Sequence, residues 1–531
     1  MTSMFDLIIG LFWLISAIID YSEFCYIWQL KEYRIDRMRD FFKTREGKRY
    51  WLNYNVLLRP VAALIMFFWP INDGHIVKNI ILTFAVLDII RMLTLFLQHR
   101  FHRPVTTTKA LLIIFICIFF EGIVAIFSRD WTIFFLFLII RFFIISLTII
   151  LFTKPTLIIK KIIIDAAKKK MRSYPNMIVI GITGSYGKTT VKEFLNKILS
   201  SKYKVLSTPK HINTDIGISK YILNTPLDAC EIFVVEMGAY REGEIRAITE
   251  IVHPKIGILT AINEQHLSLF GSLQKTQQAK YELLRSLPQT GLAITNADNQ
   301  YCMELINTLQ SKVKTFGTEQ TNNPTLLIEN EEQTKEGIKC TLKFADTSTN
   351  IQLEAPINGV HNCFNLAPCL LAAHHLGMTN EEIKKEVKNL HRTSASLQTI
   401  SYGNTTLIDD TYNSNPTGFR SALYYMASFP SDMRRIVVTR GMYELGEKSD
   451  ELHECVSEEI SFTADELVIT NKDFEAPLRR GLVEKYRVSV YLKDTPESLL
   501  EYFKSIKESK SVILLENRIP ELVRKELFSI K

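Results

Sequence analysis

The stretch Gly181-Ile-Thr-Gly-Ser-Tyr-Gly-Lys-Thr-Thr190 follows the apolar run Met177–Ile180 and precedes the helix-patterned segment Val191–Leu199. A strand, a glycine-rich turn and a helix opening at a Lys-Thr pair make a cradle for phosphate. The glycines let backbone N–H groups close on the oxygens, and the start of the helix adds its positive end. Lys188 is placed to reach the β- and γ-phosphates and Thr189 to ligate Mg²⁺. Gly184, Ser185, Gly187 and Thr190 complete the nucleotide-binding set. The spacing departs from the general phosphate-loop pattern, because Ile182 stands where the first glycine is expected and glycines at 181, 184 and 187 replace it. The bland alternative is an ordinary strand-turn-helix. The reading taken is a protein that handles ATP, with ATP and Mg²⁺ as its cofactors.

The chain has 531 residues, enough for three domains, and its long apolar runs lie almost entirely before residue 153. Five candidate spans are read at about 4–25, 55–71, 76–97, 110–127 and 131–152, each near the ~20 residues that cross hydrocarbon. The second is short and carries Arg59 and Pro60. The first is followed by further spans and lacks a basic leader, so it does not read as a cleaved signal. Basic residues crowd the segment after span one (Lys31, Arg34, Arg37, Arg39, Lys43, Arg45, Lys48, Arg49), whereas the turn Asn72–His75 carries no Lys or Arg. This alternation predicts a multi-pass protein of the cell membrane, with the N-terminus outside and everything after residue 153 in the cytoplasm.

The net charge of +7 owes much to these clusters, which favours anionic lipid headgroups over nucleic acid. Residues 154–175 read as a basic juxtamembrane helix, either lying on the membrane surface or serving as a solvated linker. Asp88, Arg91, Glu121 and Arg141 fall within the spans. They mark either a polar pathway or mutual pairing inside the bundle. Glu32–Arg37 reads either as a phosphate cup or as a helix face with internal ion pairs. Eight scattered cysteines without a C-x-x-C argue against a zinc site and against a disulfide framework.

From residue 176 onward strand-like and helix-like segments alternate, the mark of an α/β fold. Strands are expected at 231–236, 256–260, 291–295, 435–439, 466–470 and 511–515. Turns of a β-rich insertion are expected at 318–323 and 330–337.

A resemblance now rests on motifs in register: the loop at 183–190, Asn213 with Gly217, Val235–Ala239, Glu264–Ser272 leading to Ala279-Lys280, Asn296–Asp298, Gly359–Asn365, Ile408–Pro416 and Gly441–Gly446. With these the soluble half resembles the Mur ligases, and within them the D-alanyl-D-alanine-adding type. The resemblance implies a central ATP-binding domain at 176–394 and a Rossmann-like C-terminal domain at 395–531, behind a membrane domain at 1–153. It implies an ADP-forming acid–amino-acid ligase that makes an acyl phosphate and then an amide. It also implies roles for residues. Glu236 and His266 help hold a second Mg²⁺, beside the one on Thr189; Lys280 is the lysine that several members carbamylate; Asn362 and Asn365 contact adenine; Asp410 and Tyr412 close over nucleotide and substrate. The catalytic set expected is Lys188, Lys280, His266 and Asp410. Plain alternatives are a surface Glu236 and His266, an unmodified Lys280, helix capping by Asn362 and a solvated turn at Asp409-Asp410.

Four departures accompany the resemblance, one of them Tyr186 in the phosphate loop at a position commonly Asn or Ser. The family's central arginine aligns with Ser396, with Arg392 nearby. A Lys-Gly-Ser-Arg-like stretch is replaced by Glu516-Asn-Arg-Ile-Pro520. The small domain that holds uridine diphosphate in the family gives way to the apolar spans. The expected partners are therefore an amino acid or dipeptide as amine, a cell-wall peptide precursor that is soluble or lipid-linked, and membrane lipids. A ligase extending an envelope polyglutamate-like polymer, and a degraded ATP-binding scaffold, are the competing readings.

Overall fold

The computed structural model describes the chain except for residues 1–3, 44–46, 49–58, 60, 62–73, 98–102, 129–130, 264–269, 335, 346–349, 391–396, 412–414, 444, 446–447 and 529–531. It divides into two compact units, Met1–Lys161 and Ile162–Lys531.

The first unit is helical, with Met4–Leu30 packing on Gly74–Leu97 and on Thr108–Ser128. Four of the five expected spans are thus helices; the second, 55–71, lies outside the described residues apart from Arg59 and Val61. Among the described residues, Leu7–Leu30 and Leu136–Arg172 are the helices long and apolar enough to cross a membrane. The unit carries large apolar side chains outward, including Leu11, Phe96, Phe115, Phe127 and Leu151, and ionisable ones inward. Arg141 is fully buried and donates to Ser16 Oγ and Asp20 Oδ2, each at 2.9 Å, and to Glu121 Oε1 at 3.2 Å. Arg59 bridges Asp20 at 2.9 Å and Asp88 at 2.5 Å, Tyr21 donates to Glu121, and Arg91 pairs with Glu23. Of the two readings of these charges, mutual pairing is the one observed. Arg37 likewise pairs with Glu32 at 2.7 Å, the internal ion pair of the alternatives at Glu32–Arg37.

The last helix of this unit runs without a break from Trp131 to Arg172, through Pro155, and ends in the second unit. The expected span 131–152 and the expected helix 154–175 are one element. Its final turns are core of the second unit: Ala167 and Met171 are buried with Ile218, Ile222 and Phe233. Lys170 Nζ donates to the carbonyls of Ile222 and Thr225, each at 2.8 Å, at the end of the helix Asp215–Asn224. A cation there satisfies carbonyls that have no partner inside the helix.

The second unit holds two sheets. The strands β1 (Ile178–Thr183), β2 (Val205–Ser207), β3 (Ile232–Glu236), β4 (Ile256–Leu259), β5 (Leu292–Asn296), β6 (Lys312–Gly317), β7 (Leu326–Gln333), β8 (Ile338–Phe344) and β9 (Asn350–Ala355) lie in the order β2-β3-β1-β4-β5-β6-β7-β8-β9. Pairing is parallel as far as β7 and antiparallel through β8 and β9. Successive residues face opposite sides, so both faces are covered by helices and the strands read as unbroken apolar runs. Ile180, Ile182 and Val234 pack against the helices Lys188–Leu199 and His361–His375, while Val179, Phe233 and Val235 pack on the other side.

The strands β10 (Gln398–Tyr402), β11 (Thr405–Asp410), β12 (Arg434–Thr439), β13 (Glu466–Ile469), β14 (Ser489–Leu492) and β15 (Ser511–Glu516) form the other sheet in the order β10-β11-β15-β12-β13-β14. The six strands expected after residue 230 are present within one residue at each end, and the strand expected at Met177–Ile180 runs on to Thr183. The expected turn at 330–337 is shorter, because Asn330–Gln333 continue β7 and the reversal is made by Thr334 and Gly337. At 318–323 a single 3₁₀ turn over Gln320–Asn322 agrees with the expectation.

Candidate active site

Parallel pairing sets the site. Ile182 of β1 lies opposite Glu236 of β3, so the carboxylate that ends β3 stands beside the loop that leaves β1. Carboxyl ends of parallel strands are where open α/β sheets bind ligands. The loop passes Gly184 at φ +149° and Gly187 at φ +79° before the helix begins at Lys188, at the Lys-Thr pair where the sequence expects it to open. A Cβ on Gly184 would stand 3.1 Å from the backbone nitrogen of Ala261, and one on Gly187 would stand 2.6 Å from Asn365 Oδ1. Both positions need glycine for conformation and for space. Gly187 caps the helix with no side-chain bond. Ser185 fixes the loop instead: its N–H donates to the Ala261 carbonyl at 2.8 Å and its hydroxyl accepts from the Asn263 N–H at 2.9 Å. Thr260 donates to the Tyr186 carbonyl from the same side.

Lys188 Nζ donates to the carbonyls of Gly184, at 2.7 Å, and Ser185, at 3.3 Å, and so lies folded over the loop. Thr189 Oγ1 donates to Glu236 Oε2 at 3.0 Å, and Asn213 Nδ2 donates to Glu236 Oε1 at 3.2 Å. Lys192 Nζ stands 3.2 Å from Glu236 Oε2, on a side chain that is 2 % exposed. Burial pushes the Glu236 carboxyl up, but the ammonium groups of Lys188 and Lys192 and the Asn213 bond together hold it below the usual range. Burial lowers Lys188, with Glu236 opposing. Lys280, buried on the helix Leu273–Arg285, is pushed well below the ordinary lysine range by burial and then by the charge of Lys188.

Thr190 is buried on the first turn of its helix. Asn362 lies in the first turn of the helix His361–His375 and donates to the Asn358 carbonyl at 2.7 Å; Asn365 donates to Asn362 Oδ1 at 2.9 Å. The helix is capped at Val360 with no side-chain bond, so Asn362 does not serve as its cap. The amide pair instead borders the phosphate loop at Gly187. His266, Tyr412, Arg392 and Ser396 lie outside the described residues.

Asp410 ends β11 in the six-stranded sheet, in register with Glu516 at the end of β15. Both are buried. Among the described residues no donor group meets either Glu516 oxygen. Burial, then the adjacent Asp410 carboxylate, push Glu516 well above the usual range. An acid held protonated in the fold contributes stability below its unfolded pKa and loses it as pH rises toward the folded value. Glu516→Gln keeps a donor and cannot ionise. It is expected to stabilise the protein by about 1–3 kcal/mol at pH 8 and by less at pH 5, read by thermal unfolding at both values. An equal effect at the two would contradict a buried acid.

The sequence reading passed over Lys192. Its signal is the i, i+4 spacing from Lys188, which puts both ammonium groups on one helix face. Glu516 was noticed only as a departure from pattern, since its pairing with Asp410 is a matter of strand register.

Comparison with known proteins agrees with this architecture. A model of the Mur ligase middle domain matches residues 182–373, and one described as the Mur ligase, glutamate ligase domain matches 397–516. The UDP-N-acetylmuramoyl-tripeptide–D-alanyl-D-alanine ligase of Bacillus subtilis is 30 % identical over 342 residues, covering 64 % of this chain and 72 % of that protein. The chain belongs to the Mur ligase family. The Escherichia coli ligase of the same description is 33 % identical over 283 residues, which cover 53 % of this chain and 61 % of the relative. The fold of a solved MurF ligase from Thermotoga maritima, in complex with ADP, superposes with a TM-score of 0.61 at 24 % identity, covering 70 % of this chain and 85 % of that one. As a Mur ligase the chain is an ATP-dependent, ADP-forming ligase, and the two sheets are its middle and C-terminal domains.

Proposed function

We propose that this Mur ligase is a multi-pass membrane enzyme that joins an amino acid or dipeptide of the D-alanyl-D-alanine kind to a cell-wall peptide precursor on the cytoplasmic side. The amine and the acceptor class follow from the relatives, which are named as D-alanyl-D-alanine ligases of a nucleotide-linked muramoyl tripeptide. The observation that carries the chemistry is the constellation of Lys188, Thr189 and Glu236 at the carboxyl ends of β1 and β3.

In this reading the acceptor carboxylate attacks the γ-phosphorus and ADP leaves. The amine then attacks the acyl phosphate, and inorganic phosphate leaves from the tetrahedral intermediate. Phosphoryl transfer needs positioning and charge neutralisation more than covalent help. Lys188 swings from the loop carbonyls onto the phosphates, and the loop amides and the helix start hold them. The side chains of Asn362 and Asn365 offer both donors and acceptors to the adenine edge. Thr189 Oγ1 and Glu236 Oε2, hard oxygen donors 3.0 Å apart, suit Mg²⁺, which is commonly held through one or two carboxylates with phosphate and water in the rest of its shell. When bound, Mg²⁺ would neutralise charge on the phosphate oxygens. His266 is the remaining ligand expected from the resemblance, and Asp410 with Tyr412 serves substrate closure.

Lys280 is buried and its pKa is lowered by that burial, which favours the neutral amine that adds carbon dioxide. A carbamate there is an anion that orients Lys188 and the metal. Activity of protein stripped of carbon dioxide is expected to fall at least about tenfold and to return with bicarbonate; indifference to bicarbonate would remove the carbamate.

The membrane part of the proposal rests on the inverted first unit, with apolar residues facing outward and paired charges inside. Bilayer-embedded bundles arrange polarity in this way. The unit takes the place of a soluble nucleotide-sugar-binding domain, so the acceptor is assigned as lipid-linked. Phosphate release by the detergent-purified chain with ATP, Mg²⁺ and D-alanyl-D-alanine tests this, with soluble tripeptide precursor in one tube and the lipid-linked form in another. Turnover only with the lipid-linked form supports the assignment; equal turnover makes the membrane unit an anchor.

A further inference from the structure

Lys192 stands at the nucleotide site, and the chemistry above gives it no role. Its stem rises on the helix Lys188–Leu199, one turn beyond Lys188, and its ammonium meets the same Glu236 oxygen that accepts from Thr189. The side chain is almost wholly buried, and its nitrogen makes no hydrogen bond of good geometry in addition to this ion pair. A lysine placed so occupies the position of a cation on the carboxylate assigned to Mg²⁺.

We propose that Lys192 is a positioning residue that makes metal binding at Glu236 conditional on nucleotide. The inference rests on the reading of Glu236 and Thr189 as metal ligands and deepens it. Among the described residues of this site, Glu236 faces two ammonium groups, Lys188 and Lys192. No group of three or more His, Cys, Asp or Glu side chains that could hold a metal occurs among them. A dication arriving first must therefore displace a buried ammonium and meets a site with no surplus of negative charge, an unfavourable exchange at low dielectric. Polyphosphate reverses the balance. Its oxygens draw Lys188 away from the loop carbonyls and supply the anionic charge with which Lys192 and a metal ion can share one carboxylate. Lys192 thus keeps the Glu236 carboxylate oriented in the free enzyme and delays the metal until the phosphates are in place.

The test uses the full-length, detergent-purified protein and Mn²⁺ as the spectroscopic probe, titrated with and without ADP and followed by electron paramagnetic resonance. Wild type is expected to bind Mn²⁺ tightly only with ADP. Lys192→Met, which keeps the apolar stem and leaves Glu236 its bonds from Thr189 and Asn213, is expected to bind Mn²⁺ without nucleotide about tenfold more tightly or better. Lys192→Arg, which retains the charge, is expected to restore the dependence on ADP. Unchanged or weaker nucleotide-free binding by Lys192→Met and by a second neutral variant, Lys192→Gln, would overturn the proposal, provided that both bind ADP. So would tight Mn²⁺ binding by nucleotide-free wild type. Glu236→Gln separates the layers: if it binds Mn²⁺ with ADP as tightly as wild type, the assignment of Glu236 as a ligand fails and the role of Lys192 fails with it.

Discussion

Replacing Lys188 by Ala is expected to lower kcat by roughly a thousandfold, the scale seen when a preorganised cation or donor is removed from a phosphoryl-transfer or oxyanion site. Among the described residues the side chain donates its hydrogen bonds to the carbonyls of Gly184 and Ser185, so its loss leaves the loop geometry in place. That geometry rests on the Ser185 and Thr260 bonds and on the two glycines. Thermal stability is therefore expected to stay within about 1 kcal/mol of wild type, while ADP formation collapses. Lys188→Arg is not expected to rescue it, because a planar guanidinium is larger than the ammonium folded into the turn. A coupled assay for ADP, run beside thermal unfolding, checks both halves. A variant retaining a tenth or more of wild-type turnover would remove Lys188 from the reaction.

The second large effect concerns stability. A soluble version of the ligase begun at residue 176, where the α/β pattern starts, is expected to be insoluble or unstable. One begun at about residue 160 is expected to hold its fold. The turns between hold Ala167 and Met171 in the core, with Ile164 and Tyr174 packed against it. They also supply Lys170 to the carbonyls of Ile222 and Thr225, an ion pair of Lys168 with Glu250 at 3.0 Å, and a bond from Tyr174 to Asp228 at 2.9 Å. Burial of these side chains and the helix-end bonds together contribute roughly 3–6 kcal/mol, a large share of the net stability of an ordinary domain. Proteolysis and thermal unfolding of the two truncated chains make the comparison. Equal stability would show that the helix end merely rests on the domain.

Much of this was legible in the sequence for a plain reason. Parallel strands buried on both faces are short apolar runs, and Ile232–Glu236 or Ser511–Glu516 can be little else. The phosphate loop announced itself because its conformation demands glycine at 184 and 187. What depends on register or on neighbours distant in the chain was not legible. The Asp410–Glu516 carboxylate pair arises from β11 lying beside β15, across a hundred residues of intervening chain. The ion pair of Lys192 with Glu236 needs β3 beside β1 as well as the helix phase. The pairings of Arg59 and Arg141 could be imagined from the spans, but their partners followed only from helix packing. That the span and the basic helix after it are one element was not legible, because Pro155 sits in the helix without ending it, and local breaker chemistry cannot reveal that.

The measurement that bears most directly on the central claim is the stoichiometry of a complete reaction. The detergent-purified enzyme would be given ATP, Mg²⁺, D-alanyl-D-alanine and lipid-linked tripeptide precursor, with nucleotides resolved chromatographically and the product identified by mass spectrometry. The account predicts ADP, phosphate and a new amide in equal amounts, with none of the three formed when either co-substrate is left out. AMP and pyrophosphate in place of ADP, or ADP formed steadily without any amide, would contradict it.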